Sequence, residues 1–177
     1  MSYIDIETPR LLLRRWRNSD LEDFISMNAD TEVMRFFPEP YSSERTKLLF
    51  EAIQREFTDY GYGLYAVEER ASGSFMGFTG FHRADFAADF CPCIEIGWRL
   101  HKAFWNQGYA TEGATACLEH GFSQLGLDRV YSFTAVLNPS SERVMQKIGM
   151  SLVRQFEHPG VPEKHPLRPH VLYVITK

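Results

Sequence analysis

Along the chain, the spacing of apolar residues switches between helical and alternating periods, and the switches predict a mixed α/β fold. Leu11, Leu12 and Leu13 in RLLLRRW predict a strand over 10–16. Ser19, with Glu22 three residues later, has the form of a capping box, so a helix with Leu21, Phe24 and Ile25 as its stripe is expected next. TEVMRFF, after Asp30, predicts one further short turn that ends near Pro38 and Pro40. Leu48, Leu49, Ala52, Ile53 and Phe57 recur at helical spacing, so a second helix should open after Ser43 and close at the GYG of 61–63. From there the period shortens. GLYAVEE and FMGFTGFH, joined through Ser72 and Gly73, predict a hairpin, and CIEIGWRL, reached across a loop over 83–92, predicts a third antiparallel strand.

The second half alternates helix and strand. Ala110, Ala114, Cys117, Leu118, Gly121, Phe122 and Leu125 mark one face of a helix that should stop at Gly126, with Cys117 as core packing. VYSFTAV over 130–136 reads as a buried strand. Because a helix joins it to CIEIGWRL, the two should be parallel with a right-handed crossover. In NPSSERVMQKIGM, Asn138 is an N-cap, Pro139 fits the first helical position, Val144, Met145 and Ile148 form the stripe, and Gly149 is the left-handed stop. SLVRQFEH and HVLYVIT, separated by a loop carrying Pro159, Pro162, Pro166 and Pro169, predict a closing hairpin. No internal repeat or low-complexity segment interrupts this order.

The most informative stretch is WRLHKAFWNQGYATEG over 98–113, where a strand runs into a glycine turn that opens a helix. The first amides of a helix lack intrahelical partners and sit at the positive end of its dipole, so such a turn can hold a phosphate without any lysine. Gly108 and Ala110 keep the backbone approachable.

Composition narrows the frame further. A chain of 177 residues, 44% hydrophobic and 24% charged, fits one globular domain over 1–177. A formal charge of -4 without a basic run argues against a nucleic-acid surface and suits a cationic or amine substrate. MSYIDIETPR has no apolar signal region, and no run approaches the length of a membrane span, so a cytoplasmic protein with no membrane partner is expected. Cys91, Cys93 and Cys117 are odd in number and read as reduced thiols. Cys-Pro-Cys has no second ligand pair at metal spacing, so no metal site is expected.

CIEIGWRL, WNQGYATEG, VYSFTAV and NPSSERVMQKIGM resemble the acetyl-CoA core of the GNAT N-acetyltransferases. TPRLLLRRW and FEHPGVPEKHPLRPHVLY are similar to the Rim-type branch, related to ribosomal-protein N-terminal acetyltransferases, so the resemblance spans nearly the whole chain. The superfamily turn usually begins with Gln or Arg; here Trp105 stands in that place, with Gly108 and Ala110 at the later positions. The resemblance implies a central mixed, mostly antiparallel sheet of about seven strands, two of them parallel and splayed, with helices on both faces. It also implies an acetyl-CoA-dependent N-acetyltransferase in which a primary amine attacks the thioester directly.

Site residues follow from the resemblance position by position. Amides of Gln107, Gly108, Tyr109, Ala110 and Thr111 would hold the diphosphate; the alternative is an ordinary strand-to-helix connection. Ile96, Gly97, Trp98, Arg99 and Leu100 match the splayed strand whose main chain pairs with the pantetheine arm, although Ile96 and Trp98 also read as core. Asn138 would reach the pantetheine, and already has a structural use as an N-cap. Ser141 matches the hydroxyl that protonates or hydrogen-bonds the departing thiolate; otherwise it is a solvated first-turn serine. Glu95 would accept the amine proton through water if partial burial raises its pKa toward neutrality; otherwise it faces solvent. His82 and His170 compete as bases, and either is also a natural structural histidine. A backbone amide near Trp98 is the expected oxyanion donor.

The acceptor stays open at this level. Asp85 and Asp89 in one loop, and Glu39 with Phe36, Phe37 and Tyr41 in another, suit an aliphatic or peptide amine. A protein N-terminus would need an open groove, whereas a small amine would favour a closed pocket under FFPEPY. Two other classes stand beside the enzyme: a non-catalytic acyl-CoA-binding regulatory domain of the same fold, and a structural domain whose turn binds nothing. A monomer or a homodimer fits equally.

Overall fold

Ile4–Glu7 (β1) pairs antiparallel with the leucine-rich Leu11–Arg14 (β2) at one edge of a single sheet. The structure, a computed structural model, describes residues 4–177; residues 1–3 of the expected span lie outside the described residues. Leu64–Glu69 (β3), Phe75–Ala84 (β4) and Cys93–Leu100 (β5) continue the sheet antiparallel. Arg129–Ala135 (β6) then lies parallel to β5, and Ser151–Glu157 (β7) and Pro169–Thr176 (β8) complete the order β1-β2-β3-β4-β5-β6-β8-β7. Among the described residues the sheet has eight strands, one beyond the seven that the sequence outlines. The missing one is β1, too short to show a period.

Four α-helices cover both faces. Leu21–Ala29 (α1) and Ser43–Tyr60 (α2) pack on one face, where Phe24 stands 6.0 Å from Phe78 of β4. Tyr109–Ser123 (α3) packs on the other, where Gly113 and Gly121 lie against Thr79 and Phe81, the neighbours of Phe78 that point the opposite way. Pro139–Lys147 (α4) sits beside α3 and β6. Leu11, Leu13, Phe24, Met27, Tyr65, Met76, Phe81, Ile96, Ala114, Cys117 and Val130 are at 0% exposure, and burial contributes roughly 1.5–3 kcal/mol for each large apolar side chain. No helix among the described residues is long and apolar enough to cross a membrane.

Two local expectations are revised. The strand expected over 10–16 is confined to Leu11–Arg14, because the chain turns at Asn18–Asp20 into a short 3-10 segment that leads α1. The capping box at Ser19 does not form: the Asp20 carboxylate accepts from the Arg17 amide at 2.7 Å and from both Arg14 terminal nitrogens at 2.8 Å. A buried ion pair outcompetes the local cap. The other caps behave as their residues suggest. Ser42 accepts from the Arg45 amide, Gly61 ends α2 in the left-handed region, and Asn138 accepts from the Ser141 amide behind Pro139.

The feature that makes a site is where pairing fails. β5 and β6 share one register position, Glu95 with Tyr131, and then diverge. Gly77 helps to fix β5 at this point. Its φ is 134°, and a Cβ there would lie 2.1 Å from the Arg99 carbonyl oxygen.

Candidate active site

The turn before α3 has the geometry of an anion cradle. Gly108, at φ 81°, is the left-handed residue preceding the helix, and Asn106 is also at positive φ. Only glycine adopts that conformation freely. Gly108, Tyr109, Ala110 and Thr111 line a cleft of about 400 Å³ between α3 and α4. Gln107 is not among the lining residues; its carbonyl accepts from Arg10 at 3.0 Å, and its side chain donates to the Ala103 carbonyl at 3.1 Å. The turn is tied down from a distant part of the chain. Arg10 Nε meets Glu112 at 2.6 Å, Arg10 stacks 4.2 Å over Tyr109, and the Tyr109 hydroxyl donates to Glu69 at 2.7 Å. Trp105, in place of the usual Gln or Arg, donates its indole N–H to the Leu100 carbonyl at 2.8 Å and anchors the turn to the end of β5. Arg143 and Lys147, one helical turn apart on α4, line the same cleft and add positive charge.

The register narrows the main-chain groups of 96–100 that remain available. The His101 amide donates to the Met76 carbonyl at 2.8 Å, so alternation directs the main chain of Arg99, Gly97 and Glu95 to β4, and that of Leu100, Trp98 and Ile96 to the β6 side. The Ile96 carbonyl is already taken by the Ser132 hydroxyl at 2.9 Å, and the Leu100 carbonyl by Trp105. Trp98, beyond the last paired position, is left with its main chain facing the gap. Ile96 is fully buried and Trp98 packs against the core, so the apolar reading of both side chains holds as well.

A second cavity of about 660 Å³ opens on the other side of the splay. Glu95, Gly97 and Arg99 share the β5 face that points into it, and His82 and His170 line it too. Trp98, Arg99, Asn138 and Ser141 line both cavities, so the two meet at these residues. Here Asn138 Nδ2 donates to Thr134 Oγ1 at 3.0 Å and to Ser141 Oγ at 3.1 Å. Ser141 thus accepts one hydrogen bond and keeps its own proton free to donate. Phe36 and Phe37, with Pro38, Glu39 and Tyr41, form one wall. Phe36 also packs on the cluster of Ala135, Val161 and Leu167, which brings the FFPEPY segment and the β7–β8 loop together over the cavity. Asp85 and Asp89, expected near the acceptor, do not line it; Asp89 instead pairs with Arg154.

The titratable groups of this cavity differ sharply. Burial pushes the Glu95 carboxyl up to about 7; His82 opposes this and Glu56 adds to it. His82 stands directly across the β4–β5 pair from Glu95, and its Nδ1 meets Glu56 at 2.8 Å. That hydrogen bond raises the His82 pKa and favours the imidazolium, which has no lone pair to offer a proton. Burial holds His170 below its ordinary value. Its Nδ1 lies 3.0 Å from the Arg168 carbonyl and therefore carries the proton, leaving Nε2 as a lone pair. His158, 4.8 Å from His170 ring to ring, is pushed down to about 4 by burial and by His170.

Sequence reading missed the Arg10–Glu112 clamp, whose partners are 102 residues apart, and the setting of Arg99. It also passed over Arg143 and Lys147, whose spacing of four on one helix is the signal that could have found them.

Comparison with known proteins gives the family and the fold. Residues 10–151 match the family model of the acetyltransferase (GNAT) domain. The Bacillus subtilis protein named uncharacterized N-acetyltransferase YnaD is 31% identical over 146 residues, covering 82% of this chain and 81% of that protein. A GNAT-family acetyltransferase from Bacillus anthracis superposes with a TM-score of 0.78 at 28% identity, covering 99% of this chain and 98% of that one. RimL, a ribosomal L7/L12 alpha-N-protein acetyltransferase, superposes with a TM-score of 0.81 at 16% identity over 100% of this chain and 96% of its own, a likeness of fold.

Proposed function

From the acetyltransferase (GNAT) family to which the chain belongs, we propose that this single-domain N-acetyltransferase moves an acetyl group from acetyl-CoA to the primary amine of a small molecule, with Glu95 and Ser141 as its catalytic residues. The observation that carries this reading is the meeting of two cavities at Trp98, Asn138 and Ser141, with a carboxyl of pKa about 7 on the wall of one of them. The cradle fits a diphosphate. Amides of Gly108, Tyr109, Ala110 and Thr111 hold it, with the Gln107 peptide shaping the turn, and Arg143 and Lys147 add charge. Bound acetyl-CoA supplies a thioester carbonyl and a thiolate leaving group. The main chain of Trp98 and Leu100, together with Asn138, orients the pantetheine arm.

The chain's own groups then divide the work. Glu95 takes a proton from the amine as nitrogen bonds to the carbonyl carbon; a base with pKa near the working pH is suited to this. The Trp98 amide donates to the developing oxyanion. As the C–S bond breaks, the Ser141 hydroxyl donates to the thiolate, which with an ordinary pKa of ~8.5 needs only modest assistance. Phe36 meeting Val161 and Leu167 over the cavity favours a small amine over a protein N-terminus, which would need an open groove. The reading is tested by acetyl-CoA titration followed by thermal shift, then by thiol release across a panel of small amines and peptides. Stabilisation by acetyl-CoA and turnover of small amines are expected. Binding without turnover of any amine would leave the regulatory domain in its place.

A further inference from the structure

Arg99 lies on β5 four residues beyond Glu95 and on the same face, and it lines both cavities. Its Nη1 donates to Asn28 Oδ1 at 2.6 Å, and the guanidinium stands 4.4 Å over Phe37 and 5.2 Å over Phe78. Tyr41 adds a ring at 5.3 Å and a polar partner. No carboxylate among the described residues pairs with it, and the other charge in its field is Arg45, a repulsive one. Burial lowers its pKa, Tyr41 opposes this, and Arg45 adds to it. Arg45 itself is engaged with Glu39 at 3.5 Å and stacks 3.9 Å over Tyr41.

A guanidinium has five donors in a planar fork that matches a carboxylate, and Asn28 uses one of them. Withdrawing such a cation from water without a counter-ion is costly, whereas a carboxylate entering the cavity would relieve that cost with charge-assisted hydrogen bonds. We propose that Arg99 binds a carboxylate of the reacting pair, so that the acceptor is a small amine that also carries a carboxylate. This rests on the acetyl-transfer reading of the cavity. A dicarboxylic acyl group would present the same chemistry from the donor side, because Arg99 lines that cleft as well.

The test compares kcat/KM for matched acceptors, small amino acids and their carboxamides, with wild type, Arg99→Gln and Arg99→Lys, using acetyl-CoA. A second arm uses succinyl-CoA with the carboxamides. The ratio of wild type to Arg99→Gln should be at least about tenfold larger for the amino acid than for its carboxamide, the size expected for a charged hydrogen bond. Arg99→Lys should recover part of the difference, having the charge without the fork. Because the amino acid and its carboxamide are compared within each preparation, partial misfolding cancels. Equal losses for both members of every pair with acetyl-CoA, and no greater loss on the carboxamides with succinyl-CoA than with acetyl-CoA, would overturn the proposal. A selective loss confined to the succinyl-CoA arm would overturn the acceptor assignment in favour of the acyl group. If wild type binds acetyl-CoA and turns over neither member of any pair but does turn over other small amines, the carboxylate proposal falls; if it turns over no amine at all, the acetyl-transfer reading itself falls.

Discussion

Arg14 on β2 and Arg99 on β5 both withdraw a guanidinium from bulk water, in very different company. Arg14, with its side chain 2% exposed, is met by Asp20 at 2.8 Å on one side and Glu68 at 2.8 Å on the other. Burial works to lower its pKa, but the hydrogen bonds to the two carboxylates outweigh it and hold the group above its ordinary value. Arg99 has aromatic rings and an amide around it, and burial prevails. Glu95, on the same strand face, is the matching acid, a partly buried carboxyl without a lysine or arginine partner. Where buried charge is neutralised within the chain, it ties β2, β3 and the start of α1 together. Where it is left uncompensated beside a cavity, the missing partner belongs to a ligand.

The largest expected effect tests the neutralised side. Arg14→Met leaves Asp20 buried without a counter-ion and Glu68 with only the more exposed Arg17, 3.0 Å away, and should cost about 3–5 kcal/mol, lowering Tm by roughly 10 °C in a thermal melt. Adding Asp20→Asn and Glu68→Gln should restore much of that loss. Arg99→Met strands no carboxylate; losing the charged hydrogen bond to buried Asn28 should cost about 1.5–3 kcal/mol, less than Arg14→Met. Equal destabilisation by the two arginine substitutions would break the comparison.

Glu95→Gln comes next. It should lower kcat/KM by about 100-fold, the lower end for general-base catalysis, with little change in acetyl-CoA affinity. Its effect on stability has a definite sign. A carboxyl whose pKa is raised from 4.5 to about 7 by folding binds its proton more tightly in the folded state, so its contribution is fully present below 4.5 and is lost as pH rises through 7. At pH ~8 the glutamine variant should therefore melt above wild type, and below pH ~4.5 the gain should vanish. Ser141→Ala should have the smallest effect, about tenfold in kcat with an unchanged KM for acetyl-CoA, since the thiolate needs little help. A loss confined to KM would move Ser141 from chemistry to binding.

What could be read from the sequence follows the same division between local and distant causes. The turn at Gly108 and the cap at Asn138 were legible because their chemistry lies within a few residues of themselves. The β5–β6 parallel pair followed from the intervening helix alone. β1 was not legible, since Ile4–Glu7 has only four residues and is held by β2. The expected cap at Ser19 was lost because Arg14 draws Asp20 inward, a contact outside the capping motif that runs from Ser19 to Glu22. Arg99 reads from sequence as one polar residue in a strand. Its meaning comes from Asn28, Phe37, Tyr41 and Phe78, which α1, β4 and the loop between α1 and α2 bring around it. The main chain of 96–100 read as equally available, and Trp98 is singled out only by the alternation of pairing with β4 together with the hydrogen bonds that occupy the Ile96 and Leu100 carbonyls.

The most direct test of the account is the pH dependence of the ratio of wild-type to Glu95→Gln kcat/KM for one amine acceptor, because ionisation of the amine cancels in that ratio. The account predicts a ratio that rises with pH through about 7 and then levels, as the Glu95 carboxyl loses its proton. A ratio that stays flat across this range would contradict it.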